Sequence, residues 1–405
     1  MPRVVLLLPS ATYRAADFLD AARRLGAEVV VASDVSQTLA HTMGDRAITV
    51  AMDDPAAAAS ELVALARRSP VDAVVAVDDQ GVVTAAEASL RLGLRHNPPA
   101  AVAATRDKAA LRQALVDTGV AQPRFALCGP GDDAGAVARA VGFPCVVKPR
   151  TLSGSRGVIR ADDPDAARAA AVRTREIARC AGAEPVLLIE AYVDGPEVAV
   201  EGLLRRGVLE VLAVFDKPDP LEGPYFEETI YVTPSRLPAR RQDDLVTAVA
   251  VATTALGLVE GPVHAELRLP PGGGAPVLLE VAARSIGGLC ARVLRFGAGI
   301  SLEEVILRHA LGLPSGALVR GDAAAGVMMI PIPRSGVLRG VEGLDDARAV
   351  PGVSGVEISV PRGRRVDALP EGDRYLGFVF ASAGTPGEVE AALRDAHGRL
   401  EISID

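Results

Sequence analysis

Residues 263–284, VHAELRLPPGGGAPVLLEVAAR, leave the chain few ways to fold locally. Val263–Leu269 alternates apolar and polar residues, Pro276–Ala282 is a second strand-like run, and PPGGG between them fits only a turn or loop. Folded symmetrically about Gly273, the hairpin sets Glu266 directly opposite Glu280. Side chains alternate with period 2, so His264, Glu266, Arg268, Glu280, Ala282 and Arg284 then share one face. Carboxylates opposed across a ladder repel each other. Two readings follow: solvated glutamates on an exposed sheet face, or a divalent cation between them. An oxygen-rich site with few carboxylates suits magnesium carried in with a nucleotide phosphate.

A chain of 405 residues is too long for one ordinary core, so two or three domains are expected. The net charge of −8 argues against a nucleic-acid or anionic-membrane surface. Cys128, Cys145, Cys180 and Cys290 lie far apart with no CxxC pair, which reads as reduced thiols in a cytoplasmic protein rather than a metal motif or disulfide framework. Residues 4–8, VVLLL, are too short for a signal-peptide core, and no run is long enough to span a membrane.

The N-terminal part alternates strand and helix. Strands are expected at Val4–Leu8, Ala27–Ala32 and Val71–Val77, and helices at Ala15–Leu25, Pro55–Arg68 and Val82–Leu92. Continuously apolar strands alternating with helices predict a parallel sheet covered on both faces. No GxGxxG follows the first strand. Asp78-Asp79-Gln80-Gly81 sits at a strand's carboxyl end, as a substrate contact or as a helix N-cap. HNPPA (96–100) reads as a linker, Asp107–Thr118 as a helix, and Ala291–Phe296 as another. From about Asp322 onward the pattern is strands with a final helix at Pro386–Arg399. The whole is an α/β N-terminal domain followed by a three-part α+β body.

Lys148 ends the apolar strand CVVK, where its charge needs an anionic partner. In SGSRGV just after it, Gly154 and Gly157 let the backbone curl around an anion, and Ser153 and Ser155 add hydroxyl donors. A triphosphate needs such a lysine and flap, although an ordinary β-turn reads the same way and GxxxxGK[ST] is absent. Lys108 lies at a helix N-terminus, where the dipole disfavours a cation, so it serves a ligand or a solvated face. LIEAYVDGPEVAVEG (188–202) is strand, break and strand. Its backbone is placed to read an adenine edge and Glu197 to accept from ribose hydroxyls, with a plain strand–turn–strand as the rival.

Taken in order, RDKAALRQAL, VVKPRTLSGSRGV, LIEAYVDGPEVAVEG and GPVHAELRL…LLEVAARSIGG resemble the ATP-grasp superfamily. LLEVAARSIGG, FDKPDPLEGPYFEETIYVTPS (215–235) and the C-terminal region make the chain most similar to L-amino-acid ligases of the bacilysin-synthetase type. The resemblance implies a Rossmann-like domain over 1–100, an ATP-grasp domain over 101–312 with a small lobe at about 120–192, and a C-terminal α+β lid region over 313–405. It implies that Lys108 and Lys148 contact ATP phosphates under a flap from Ser153 to Gly157 that includes Gly154 and Ser155. Glu190, Tyr192 and Val193 would line the adenine hinge, and Glu197 would bind ribose. Glu266 and Glu280 would hold magnesium or manganese. Arg284 would face the transferred phosphoryl group and the acyl intermediate, with Gly287 and Gly288 beside the substrate. Glu228 would contact a substrate α-ammonium, against the rival of a solvated loop glutamate.

One departure stands out: many members carry Asn two residues after the second metal glutamate, and here that residue is Ala282. His264, opposite Ala282 in the symmetric register, is expected to use the vacated space to contact substrate; a structural histidine is the alternative. The implied activity is ATP-dependent joining of an amino-acid carboxylate to an amine through an acyl phosphate, releasing ADP and phosphate, in a cytoplasmic enzyme that is commonly a homodimer. The rivals are a purine-pathway or carboxylating ligase using glycine or bicarbonate, and a nucleotide-binding module without turnover.

Overall fold

The computed structural model describes residues 1–37, 40–321 and 323–405. Four parallel strands form the N-terminal sheet: β1 (Arg3–Leu7), β2 (Glu28–Ser33), β3 (Ala47–Thr49) and β4 (Ala73–Ala76), in the order β3-β2-β1-β4. β1 is buried along nearly its whole length because helices cover both sheet faces. Asp54 caps the helix Pro55–Arg68 by accepting from Ala57 N, and Gly93, at φ 67°, ends the helix Val82–Leu92. β3 lies beyond the elements read from the sequence.

The segment expected as a linker instead starts a helix, Pro99–Arg106, with proline in its first turn. The helix expected over 107–118 runs only from Lys108 to Ala114, with Asp107 as N-cap accepting from Ala109 N at 2.9 Å. β5 (Phe125–Cys128), β6 (Cys145–Pro149), β7 (Ile159–Ala161) and β8 (Leu187–Ala191) form a small antiparallel sheet, order β5-β8-β6-β7. The helices Ala134–Val141 and Pro164–Cys180 cover it.

The large sheet has eight strands. β9 (Glu197–Arg205), β10 (Val208–Lys217), β11 (Ile230–Thr233), β12 (Glu260–Arg268) and β13 (Val277–Ala282) supply five, in the order β13-β12-β9-β10-β11. The C-terminal region continues the same sheet with the strands Ala324–Ile330, Gly377–Ala383 and Val353–Ile358. The expected boundary at Asp322 lies outside the described residues. One consequence is that residues 313–405 are an extension of the central sheet as much as a cover over it.

The helix expected at Ala291–Phe296 is instead a 3-10 turn, Cys290–Val293, followed by a two-residue strand, Arg295–Phe296. Gly288 and Gly297, both at positive φ, turn the backbone away from helical geometry on either side of this stretch. This stretch packs in one apolar core with Phe18 of the N-terminal domain and Phe215, Met329 and Phe378 of the large sheet.

Candidate active site

The strand alternation builds the site. His264, Glu266 and Arg268 point to one face of β12, and their partners on β9 are Glu201, Ala199 and Glu197. On β10 the same rows continue through Ala213, Phe215 and Lys217. One row therefore reads Arg268–Glu197–Lys217, with charges alternating across the strands. Arg268 donates to Glu197 at 3.0 Å, and Lys217 Nζ lies 2.5 Å from the other Glu197 oxygen. The same ammonium reaches Glu228 at 2.6 Å and Glu266 at 3.0 Å, and sits 4.9 Å above the Tyr231 ring. Glu197, Glu228 and Glu266 form a carboxylate cluster with ligand atoms within 4.8 Å of one another. Burial, then the nearby Glu266 charge, pushes Glu228 up to about 7. Glu266 is buried too, yet Lys217 and His264 hold it well below the usual carboxylate range.

The hairpin register matches the symmetric expectation only at its base. Glu266 pairs with Glu280 and His264 with Ala282. Beyond them Leu267 pairs with Leu278, so Leu279 is bulged and the hairpin is not symmetric about Gly273. The bulge exposes the Leu279 carbonyl, which accepts from Arg112 Nη2 at 2.7 Å. His264 does not occupy the space beside Ala282 as a free substrate contact. Its Nδ1 lies 3.0 Å from Glu201, its cross-strand neighbour, and its Nε2 3.5 Å from Glu266. Burial opposes protonation there, but the two carboxylates raise the imidazole to about 9. A buried histidine between two acids is thus a cationic brace under Glu266.

Lys148 finds its anion within the protein. Its ammonium lies 2.6 Å from Glu190, whose other contact is Arg112 at 2.6 Å. The Glu190 side chain therefore belongs to a buried ion cluster beneath the cleft, and only its backbone is left for the hinge. Burial lowers the Lys148 pKa, opposed by Glu190, while the two cations hold Glu190 down to about 2 against its own burial. Lys108 Nζ donates to the Leu152 carbonyl, at the root of the flap. Ser153, Gly154 and Ser155 line the cleft, and Ser155 itself adopts a left-handed φ of 55°. Gly157 turns away from the cleft wall and donates to the Pro370 carbonyl at 2.8 Å.

Tyr192 and Val193 line the cleft between the lobes. Tyr192 stacks on Phe226 at 6.4 Å, and the Val193 carbonyl accepts from Arg268 at 2.7 Å. Both Glu197 oxygens are engaged by Lys217 and Arg268, so its expected role toward ribose hydroxyls requires sharing these oxygens. Arg284 reaches across to Asp79 of the N-terminal domain at 2.9 Å, and Asp79 also pairs with Arg106 at 2.9 Å. Against the cost of burial, the two guanidiniums hold Asp79 far below its ordinary value. Gly287, Gly288, Lys108, Lys148, Glu228, His264, Glu266, Glu280 and Arg284 all line one cleft of about 390 Å³.

Glu280 fits a cation site by what it lacks. It is half-buried, opposite Glu266, and its side chain makes no hydrogen bond or ion pair among the described residues. Two hard oxygen donors on adjacent strands, one unpartnered, are a donor set suited to magnesium, which takes carboxylate together with phosphate oxygens. The residues that motif reading passed over are Lys217, Arg112 and Glu201. Lys217 carried a usable signal: it ends an apolar strand before proline in VFDKP just as Lys148 does in CVVKP.

A family profile for the ATP-grasp domain matches residues 141–293, one for the ATP-grasp N-terminal domain matches 19–96, and one for L-amino acid ligase C-terminal domain 2 matches 328–405. With the fold above, these place the chain in the ATP-grasp superfamily. The solved L-amino acid ligase from Bacillus licheniformis superposes with a TM-score of 0.84 at 26% identity, covering 100% of this chain and 99% of that one. Within the superfamily the chain is similar to the L-amino acid ligases over its full length. It is 28% identical over 265 residues to alanine–anticapsin ligase of Bacillus subtilis, covering 61% of this chain and 55% of that protein. It is 33% identical over 289 residues to carnosine synthase 1 of Gallus gallus, covering 66% of this chain and 30% of that protein. The matches thus span about half and less than a third of those two relatives. Carboxyaminoimidazole ribonucleotide synthase, solved with ATP, shares the fold at a TM-score of 0.76 and 18% identity.

Proposed function

We propose that this protein is an ATP-dependent carboxylate–amine ligase that joins an amino-acid carboxylate to a second amine, releasing ADP and phosphate. The observation carrying this reading is the convergence of Lys108, Lys148, Glu266, Glu280 and Arg284 on one cleft that also carries the serine–glycine flap. The L-amino acid ligase C-terminal profile over residues 328–405 supports an amino-acid substrate.

A carboxylate does not acylate an amine at neutral pH, because its oxygen is a poor leaving group. Transfer of the γ-phosphoryl group makes it an acyl phosphate that an amine can attack. Lys108 and Lys148 neutralise phosphate charge while the flap closes over it. Magnesium, when bound, supplies further neutralisation of the phosphates, and Glu266 and Glu280 are the residues that would hold it. His264 and Lys217 fix Glu266 from behind. Arg284 faces the carboxylate and stabilises charge as the phosphoryl group moves, the role of a preorganised clamp. Glu228 is the group we assign to the substrate α-ammonium. The flap and the C-terminal segment exclude water from the activated acyl group. Four free cysteines and the use of ATP fit a cytoplasmic setting.

The test is incubation of the purified chain with Mg-ATP and the amino acids singly and in pairs, with ADP and phosphate followed and products identified by mass. Amino-acid-dependent ADP with a dipeptide product is expected. Arg284→Met should lower ligation on the order of 100-fold or more while nucleotide binding persists. ADP formed with bicarbonate alone, or with no amino acid pair, would overturn the reading.

A further inference from the structure

We infer that the seam behind the active cleft is a second ligand site, one that takes a small neutral aliphatic molecule bearing a hydroxyl group. Three apolar cores approach one another there without merging. Val75 and Ile306 belong to the first, Val82, Ala86 and Val102 to the second, and Val74 to the third. They leave a cavity of about 100 Å³, with β4 and the helix Val82–Leu92 on one side and the start of β12 and the helix Leu302–Ala310 on the other. The cavity is separate from the cleft that holds Arg284 and the flap, and shares no lining residue with it. A cavity of about 150 Å³ takes benzene, so this one takes roughly four or five heavy atoms.

The polar groups set the rest of the chemistry. Ser89 is 1% exposed and lines the cavity, and its hydroxyl makes no hydrogen bond among the described residues. A buried hydroxyl without a partner costs free energy, which a hydroxyl on the ligand recovers. At the mouth, His96 Nδ1 donates to the Leu94 carbonyl at 2.7 Å, and its Nε2 makes no hydrogen bond among the described residues. The charged and amide groups of the lining are taken. Asn97 accepts from Val259 N and Glu260 N and donates to the Glu260 carbonyl. The Glu260 carboxylate stands 2.9 Å from His309 and 3.4 Å from Arg95. A charged ligand would lose hydration here without gaining a partner, whereas a single hydroxyl meets Ser89. The position ties the site to the cleft. Ala76 of its wall lies three residues before Asp79, Val82 three after it, and Ala283 directly before Arg284. An occupant touches the segments that carry both partners of the Arg284–Asp79 pair, so filling the seam and setting Arg284 are linked.

The probe is isobutanol, titrated by NMR into the full chain with isotope labels on the Ile and Val methyl groups and on arginine, in the absence of nucleotide. Saturable methyl shifts are expected at Val82, Val102 and Ile306, with a Kd on the order of 1 mM, while Ile286 in the main cleft stays still. The Arg284 Nε–H signal should move with the same midpoint. Ser89→Ala should weaken binding about fivefold, and Ala86→Leu, which fills the cavity, should abolish it. Ala85→Val, a smaller filling of the same wall, gives the same reading should Ala86→Leu fail to fold. Shifts that grow without saturating, or that gather at Ile286, would overturn the site. A Kd unchanged in Ser89→Ala would overturn the hydroxyl assignment, and a fixed Arg284 signal would overturn the link to the cleft. None of these measurements requires turnover, so their outcome is independent of the ligase reading.

Discussion

Lys217 is 5% exposed, and its ammonium lies within 3.0 Å of three carboxylates, Glu197, Glu228 and Glu266. Removing a buried cation leaves its partners charged in a medium that solvates them poorly, which costs more than the pair itself contributes. Lys217→Met keeps most of the side-chain volume, so packing is held while the charge is lost. We expect a loss of roughly 3–5 kcal/mol in stability by urea unfolding. A loss under about 1 kcal/mol, the range of an exposed ion pair, would show that Glu228 and Glu266 are neutralised by other means. The legibility of single residues divides along this line. Lys148, Arg284 and the glutamate pair sit in local patterns and could be picked out from the sequence. The partners that set their charge, Glu190 for Lys148 and Asp79 for Arg284, lie 42 and 205 residues away in the chain and depend on strand register and domain docking. No local spacing carries that information.

Two elements meet at the hinge between the lobes. Gly195, at φ 103°, breaks the strand pair β8–β9, and a Cβ there would stand 2.0 Å from the Leu269 carbonyl at the end of β12. Backbone cannot give way as a side-chain tip can. Gly195→Ala should therefore cost on the order of 1–3 kcal/mol and displace Tyr192 and Val193, raising the KM for ATP more than that for the amino acid. Equal changes in both constants would remove the hinge explanation. At the opposite end of β12, His309 on the helix Leu302–Ala310 stands 2.9 Å from Glu260. Burial lowers its pKa to about 4; Glu260 resists this and Arg95 and Arg205 add to it. The unfolded histidine takes up its proton near pH 6.5 while the folded one stays neutral, so this group destabilises the fold as pH falls from about 6.5 toward 4. The melting temperature should drop across that window, and His309→Gln should flatten the drop; an unaltered slope would assign it to other groups. The hairpin shows how far an element can be read from sequence. A hairpin folded symmetrically about Gly273 was enough to put Glu266 across from Glu280, a pairing the base of the hairpin keeps. The bulge at Leu279 was not legible, because it answers to Arg112 on another element.

At the scale of the molecule, the parallel N-terminal sheet was legible because its strands and helices follow one another in the chain. The C-terminal region was not, since its strands join a sheet whose nearest member, β11, ends about ninety residues earlier. That joining has a functional consequence. Residues 370–375 tie the C-terminal region to the small lobe and to the N-terminal domain: Pro370 accepts from Gly157 of the flap, Glu371 binds Arg173 at 2.7 Å and 2.9 Å, and Tyr375 N donates to the Tyr13 hydroxyl of the N-terminal domain at 3.1 Å. The segment is a strap at the cleft, whose wall includes Asp373, Arg374 and Tyr375. Arg173 and Glu371 are each about half exposed, so breaking their bidentate pair should cost under about 1 kcal/mol of stability. Its effect on the reaction should be larger, because a loosened strap frees the flap and admits water to the acyl phosphate. In Glu371→Ala, phosphate release per dipeptide formed should therefore rise severalfold while the melting temperature barely moves. Charge-reversed partners, Arg173→Glu with Glu371→Arg, should restore coupling toward the parent ratio. A ratio of phosphate to dipeptide that stays at unity in Glu371→Ala would show that the flap closes without the strap.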